Sequence, residues 1–218
     1  MKLTCVIELL PFTYATQEYK TPLGNAIESP KQWNTYWHNS ISDSELGNLK
    51  AVREGSFLVN IEELTTENLV AILQKELEDI DLDKYEDQIA KITGGLVVSQ
   101  GEMCYLEPMC CGDLASLNEW ESILTSKENI WQELWIGHPW VYYQRDNGRV
   151  MFSDYIEHTG GTPVDLVSKF TISEAELVSQ LKSIRTKVSM FCKKIEMALH
   201  LLAIPNASEI AKLLVGIK

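Results

Sequence analysis

Apolar and β-branched residues crowd positions 2–10 and predict a strand, after which the pattern dissolves. Residues 11–50 are rich in Pro, Asn, Ser and isolated aromatics, and they fit neither a helical nor an alternating period. They read as a long connection hugging the surface, in which Trp33, Tyr36 and Trp37 lie at helix-compatible offsets and mark a short helix anchored by packing of its aromatic area. Periodicity returns at 56–62, a second strand. Leu69, Ile72, Leu73 and Leu77 then form one helical stripe, with Thr65 or Thr66 as its cap. Tyr85, Ile89 and Ile92 predict a further helix over 83–92 that stops at Gly94–Gly95, the expected place for a left-handed cap.

The second half changes period. Residues 96–99 and 103–106 read as strands joined across Gln100–Gly101, and 114–124 as a short helix. Three tight strands follow at 134–136, 140–145 and 149–155, the last two joined by Asp146–Asn147–Gly148, where Asn-Gly supplies the positive φ angles that hairpin turns favour. The run Thr159–Gly160–Gly161–Thr162–Pro163 breaks regular structure. Ser173 with Glu176 then resembles a capping box opening a helix to about Ala203, with Leu177, Leu181, Ile184, Val188, Phe191, Ile195 and Leu199 as its stripe and Pro205 as its stop. A terminal helix over Ala207–Val215 completes the chain. The expected fold is α+β: a mostly antiparallel sheet with helices packed on it in a core of residues 1–165, and a C-terminal helical segment, 166–218, that packs on the core or on a second subunit.

Charge narrows the function classes. The 218 residues carry a formal charge of −12, and residues 1–109 hold 18 acidic and 8 basic side chains, net −10. Such a field repels nucleic acid and anionic membrane and steers a basic protein partner toward this surface. Residues 62–87 concentrate ten acids against Lys75 and Lys84, so Glu76, Glu78, Asp79 and Asp81 are candidate partner contacts, beside the plainer reading of a solvated helix face. Asp79, Asp81 and Asp83 alternate like the start of a calcium loop, but Lys84 stands where that loop needs glycine and Ala90 where it needs glutamate. The first 24 residues show no basic start followed by an apolar run, and no stretch approaches the roughly 18 apolar residues of a spanning helix. Five cysteines, an odd number without the spacing of a disulfide scaffold, suit a reducing compartment. The expectation is a cytoplasmic protein.

Catalytic and cofactor motifs are missing: there is no Gly-x-Ser-x-Gly, His-Glu-x-x-His, P-loop or dinucleotide fingerprint, and no cofactor is expected. Cys104, Cys110 and Cys111, with His138, are the candidate ligands for a zinc ion or the parts of a thiol-dependent enzyme. Against zinc, its ligands usually come in pairs two to four residues apart, and adjacent cysteines tend to point different ways. Thiols that fill space between a strand and a helix are the plainer reading. Trp135–Ile136–Gly137–His138–Pro139–Trp140 makes a rigid corner into the hairpin, so Trp135, His138 and Trp140 are candidate contacts for a partner, with core packing as the alternative. His158 and His200 read as structural or exposed. The long C-terminal helix is also a candidate homodimer seam.

The order of Gly94–Gly95–Leu96, Cys110–Cys111–Gly112–Asp113–Leu114, Trp120, the Trp135–Trp140 corner and Phe152–Ser153–Asp154 resembles bacterial immunity proteins of the SUKH (SMI1/KNR4-like) kind, over about residues 94–154. The resemblance implies an α+β fold with helices against a mostly antiparallel sheet. It also implies a non-catalytic role, binding and neutralising a toxin delivered by a competing cell, and an acidic face suits such a target.

Overall fold

A near-continuous apolar run forms β1 (Lys2–Glu8), in which five successive positions are buried, as expected of a strand covered on both faces. The computed structural model describes residues 1–157 and 165–217, so His158 and the expected break at 159–163 lie outside the described residues. The chain divides into two compact units. The first comprises Met1–Cys5 and Thr93–Val188, the second Val6–Ile92 and Ser189–Lys218.

In the second unit, Val6 and Ile7 of β1 pair antiparallel with Asn60 and Val59 of β2 (Leu58–Asn60). Residues 11–50 are more than a surface connection. They form α1 (Pro11–Tyr14) and the 13-residue α2 (Pro30–Ser42), each opened by a proline where its missing N–H leaves no helical bond unmade. Tyr14, Trp37, Ile41, Leu46 and Leu49 from this stretch are buried, and the Trp37 indole donates to the Leu9 carbonyl at 2.8 Å. Aromatic anchors at irregular spacing thus do the work of a periodic stripe.

Thr65 caps α3 (Thr66–Glu76) reciprocally with Asn68: Thr65 Oγ1 accepts from the Asn68 N–H, and Asn68 Oδ1 accepts from the Thr65 N–H. Leu69, Ile72, Leu73 and Leu77 are buried as expected. The helix expected over 83–92 shrinks to one 3₁₀ turn, Leu82–Lys84, and one turn of α4 (Tyr85–Gln88). None of the residues Leu82–Gln88 is buried, so the segment gains little from packing that would extend the helix. Ile89 turns extended, and Ile92 donates its N–H to Leu214 at 2.8 Å. Gly94 and Gly95 consequently open a strand instead of capping a helix.

That strand is β3 (Gly94–Gln100), hairpinned to β4 (Met103–Leu106) in the first unit. The expected helix at 114–124 is a 3₁₀ turn, then α5 (Leu117–Ser122), then a second 3₁₀ turn, with Leu114, Leu117, Trp120 and Ile123 buried. Antiparallel pairing joins β5 (Gln132–Leu134), β6 (Val141–Asp146) and β7 (Arg149–Phe152) to an unexpected strand, β8 (Phe170–Ser173). Only Phe170 and Ile172 face inward from β8, too short an alternation to stand out in the sequence. Phe170 stacks on Phe152 opposite it at 4.9 Å, and Trp120 lies 5.5 Å from Phe152. The β6–β7 turn has Asn147 at φ 46° and Gly148 at φ 73°, a type I′ hairpin.

Ser173 Oγ accepts the Glu176 N–H to start α6 (Glu174–Leu201), while the Glu176 carboxylate takes the N-terminal ammonium at 2.7 Å instead of closing the capping box. All seven stripe residues from Leu177 to Leu199 are buried. α7 (Ala207–Val215) buries Ala207, Ile210, Ala211, Leu214 and Val215 on one face. The fold is therefore α+β, with strand orders β2-β1-β3-β4 and β5-β6-β7-β8. No helix among the described residues is long and apolar enough to cross a membrane.

Two glycines separate backbone strain from steric need. A Cβ at Gly148 would meet nothing within 4 Å, whereas one at Gly137 (φ 112°) would lie 2.6 Å from the Met109 carbonyl oxygen. Gly148→Ala should therefore destabilise by about 1 kcal/mol through its positive φ alone. Gly137→Ala should destabilise by about 3 kcal/mol or more. Urea unfolding of the two variants checks the difference, and equal effects would contradict the close approach.

Candidate functional site

The acidic candidates belong to the second unit. Glu76 ends α3, and Glu78, Asp79 and Asp81 follow it, all exposed, with Asp83, Glu86 and Asp87 continuing the series. Carboxylates gather here beside the negative end of the α3 dipole, where anions are disfavoured by roughly 0.3–1 kcal/mol each. Lys75 reaches Glu78 at 3.1 Å and Lys84 reaches Asp81 at 3.6 Å, both at the surface. Glu76 leaves part of its side chain in solvent, yet burial around its carboxyl raises the pKa, and Tyr14 only partly offsets this. The buried Tyr14 hydroxyl makes no hydrogen bond of ordinary geometry. Burial, and then the Glu76 charge, push the Tyr14 phenol far above its usual range.

The aromatic and thiol candidates belong to the first unit. Trp135 is 41% exposed. The His138 ring lies edge-on to Trp140 at 4.4 Å between centroids, and its Nε2 is 3.3 Å from a Glu157 carboxylate oxygen. The corner is pinned from behind: the Ile136 carbonyl accepts the Met109 N–H, and the His138 N–H donates to the Cys110 carbonyl at 2.9 Å. Gly112 and Gly137 make this approach possible, since a Cβ on Gly112 would lie 2.7 Å from the Ile136 oxygen.

All five cysteines are thiols. Cys110 and Cys111 are exposed with Sγ atoms 3.4 Å apart, so these adjacent side chains converge where the sequence suggested divergence. The half-buried Cys104 directs its thiol to the Leu106 carbonyl. Among the described residues, no three His, Cys, Asp or Glu side chains gather in a group able to hold a metal. The zinc candidates Cys104, Cys110, Cys111 and His138 are accordingly not assembled into a ligand set.

Three features carried no sequence signal. The Tyr155 hydroxyl accepts the Glu107 N–H at 2.7 Å and donates to the Glu107 carbonyl at 2.8 Å, clamping the strand that leads into the cysteine turn. Arg145 is nearly buried and reaches Ser126 O, Glu174 at 2.8 Å and Glu128 at 3.7 Å. In the second unit, a cleft of about 550 Å³ is lined by Tyr19, Lys20, Leu23, Gln32, Tyr36 and Asn39 among others. Its wall is shaped by Asp43, which accepts from Thr16 N–H and from the Tyr19 hydroxyl; these bonds, the Thr16 one foremost, hold its carboxyl below the usual range. The hydrogen bonds among them span from 19 to 48 residues along the chain, beyond the reach of any local pattern.

Because the folded-state pKa of Glu76 is raised, its ionised form works against folding. The penalty is absent below the unfolded pKa and complete above the folded one. Glu76→Gln should therefore stabilise slightly at neutral pH, by no more than about 0.5 kcal/mol because solvent screens the exposed part of the side chain, helped by the α3 dipole, and the gain should vanish as pH falls through the folded pKa. Thermal unfolding of both proteins between pH 4 and 8 checks this; a variant less stable than its parent at pH 7 would contradict it. No protein-family model, curated protein or solved structure matches the chain.

Proposed function

We propose that the protein is a non-enzymatic protein-binding module that presents residues 76–87 to a basic protein. The observation that carries this reading is the placement of seven exposed carboxylates at and beyond the negative pole of α3, with Lys75 and Lys84 as their nearby cations in sequence. Charges arranged against the local dipole do not serve the stability of the helix, whereas they raise the rate at which a basic partner arrives and select against acidic ones. An immunity protein that neutralises a bacterial toxin is the concrete form given by the SUKH resemblance. Cytoplasmic placement agrees with five cysteines that lack a disulfide-scaffold spacing. The exposed Trp135 and the His138–Trp140 pair are the aromatic candidates for short-range contact.

A second reading is favoured by α6. Met190, Met197 and Leu201 are 60%, 58% and 72% exposed, and their spacing of seven and four residues puts them on one face. Homodimerisation through that face would cover them.

Co-expression with the product of the adjacent gene, scored for cell survival and for co-purification at low and high salt, tests the first reading. Rescue with salt-sensitive co-purification is expected. Replacing Glu76 and Glu78 by Gln and Asp79 and Asp81 by Asn should then weaken binding about tenfold or more at low salt and flatten its salt dependence. Unchanged affinity and salt response in the folded variant would reject the acidic surface. For the second reading, light scattering should show a mass rising with concentration above the 24.7 kDa chain. Met197→Lys should lower that mass again, and a chain that remains monomeric at high concentration removes the dimer.

A further inference from the structure

We infer that Cys110 and Cys111 form a modification site: a vicinal dithiol that a hydroperoxide oxidises reversibly to a disulfide within one turn. The inference does not rest on the protein-binding reading. Both residues are exposed, and their Sγ atoms stand 3.4 Å apart. The turn that carries them is fixed. Gly112 donates its N–H to the Met109 carbonyl at 2.9 Å, and Cys111 alone of the two central residues has positive φ, 69°, which makes Met109–Gly112 a type II turn. The Met109 N–H and the Cys110 carbonyl are held by Ile136 and His138, and the Gly112 carbonyl accepts the Gly94 N–H at 3.0 Å. Two thiols are thus kept together at the surface on a turn held by five backbone groups. Cys110 and His138 are also opposite residues of an isolated antiparallel bridge, so their side chains leave the same face.

The chemistry balances with one peroxide. A thiolate of the pair attacks a peroxide oxygen; an S–O bond forms, the O–O bond breaks, and the leaving oxygen takes a proton to become an alcohol, or water from hydrogen peroxide itself. The neighbouring thiol attacks the resulting sulfenic sulfur; the S–S bond forms, the S–O bond breaks, and water leaves. The dithiol gives up two electrons and two protons, and the peroxide is reduced. Closing the bond to about 2.05 Å requires an approach of about 1.4 Å from the present separation. Adjacent Cα atoms are closer, at about 3.8 Å, than ordinary disulfides span, so the ring is strained and readily reduced. Ring closure pulls on the Cys110 carbonyl that accepts from His138, so oxidation would reshape the Trp135–Trp140 corner.

The test is intact mass of the reduced protein after one equivalent of hydrogen peroxide, with chymotryptic cleavage after Tyr105 to separate Cys104 from the pair. Loss of about 2 Da on the fragment holding both Cys110 and Cys111, restored by dithiothreitol, is expected. Phenylarsine oxide, which bridges two close thiols, should bind the reduced protein one to one and the oxidised protein not at all. Cys110→Ser and Cys111→Ser should each abolish the 2 Da loss and the arsenical binding while leaving a sulfenic acid that dimedone traps. Gain of oxygen without the 2 Da loss, a disulfide that includes Cys104, or a cross-link between two chains would each overturn the inference. The arsenical measurement on the unaltered protein keeps it falsifiable should a serine variant fail to fold.

Discussion

The first unit depends on a backbone contact too close for side chains. Gly112 and Gly137 let the 109–112 turn and the 136–138 segment touch main chain to main chain, where any Cβ would sit inside 3 Å of a carbonyl oxygen. Met109, Cys110 and Gly112 spend their backbone groups on that contact and on Gly94, so the start of β3, the cysteine turn and the entrance to β6 are held as one piece. Such anchoring holds the turn through its backbone and leaves the Cys110 and Cys111 thiols and part of Trp135 at the surface. Tyr155 adds a second tether at Glu107, with both halves of its hydroxyl's bonding capacity used on one residue's backbone.

The second unit shows a different economy. Its core is built from Leu69, Ile72 and Leu73 of α3, Trp37 and Ile41 of α2, and the buried face of α7, all ordinary apolar burial. Against this, residues 76–87 assemble like charges at an unfavourable helix pole, with Glu76 partly desolvated beside a tyrosine that offers it no proper hydrogen bond. Local stability and local charge pull in opposite directions there, which is the physical argument behind proposing that surface for a partner.

How far the sequence revealed this depended on whether each element was specified locally. The α6 and α7 stripes, the Asn147–Gly148 hairpin and the Thr65 cap were legible because period, turn chemistry and capping all act within a few residues. β8 escaped because four residues with two inward side chains, Phe170 and Ile172, make too short an alternation. Residues 83–92 misled, since Tyr85, Ile89 and Ile92 have helical spacing but only Ile92 is buried, and its N–H is taken by Leu214 from the far end of the chain. At the candidate site, the exposure of Glu76, Glu78, Asp79 and Asp81 followed from composition. The convergence of two adjacent thiols did not, because it is set by the positive φ of Cys111 and by partners about 25 residues away.

The interleaving of the two units along the chain bears on biosynthesis. Met1–Cys5 belong with residues that begin at Thr93, and Val6–Ile92 belong with residues that begin at Ser189. When residue 92 has been joined to the growing polypeptide, the second unit still lacks the end of α6 and all of α7. At ordinary translation speeds the remaining 126 residues take roughly 6–25 s. Throughout that interval the second unit lacks the buried residues Ile195, Leu199, Ile210 and Leu214, so nascent chains of this protein are natural clients for holding chaperones, and a chain stopped before α7 does not hold the whole second unit.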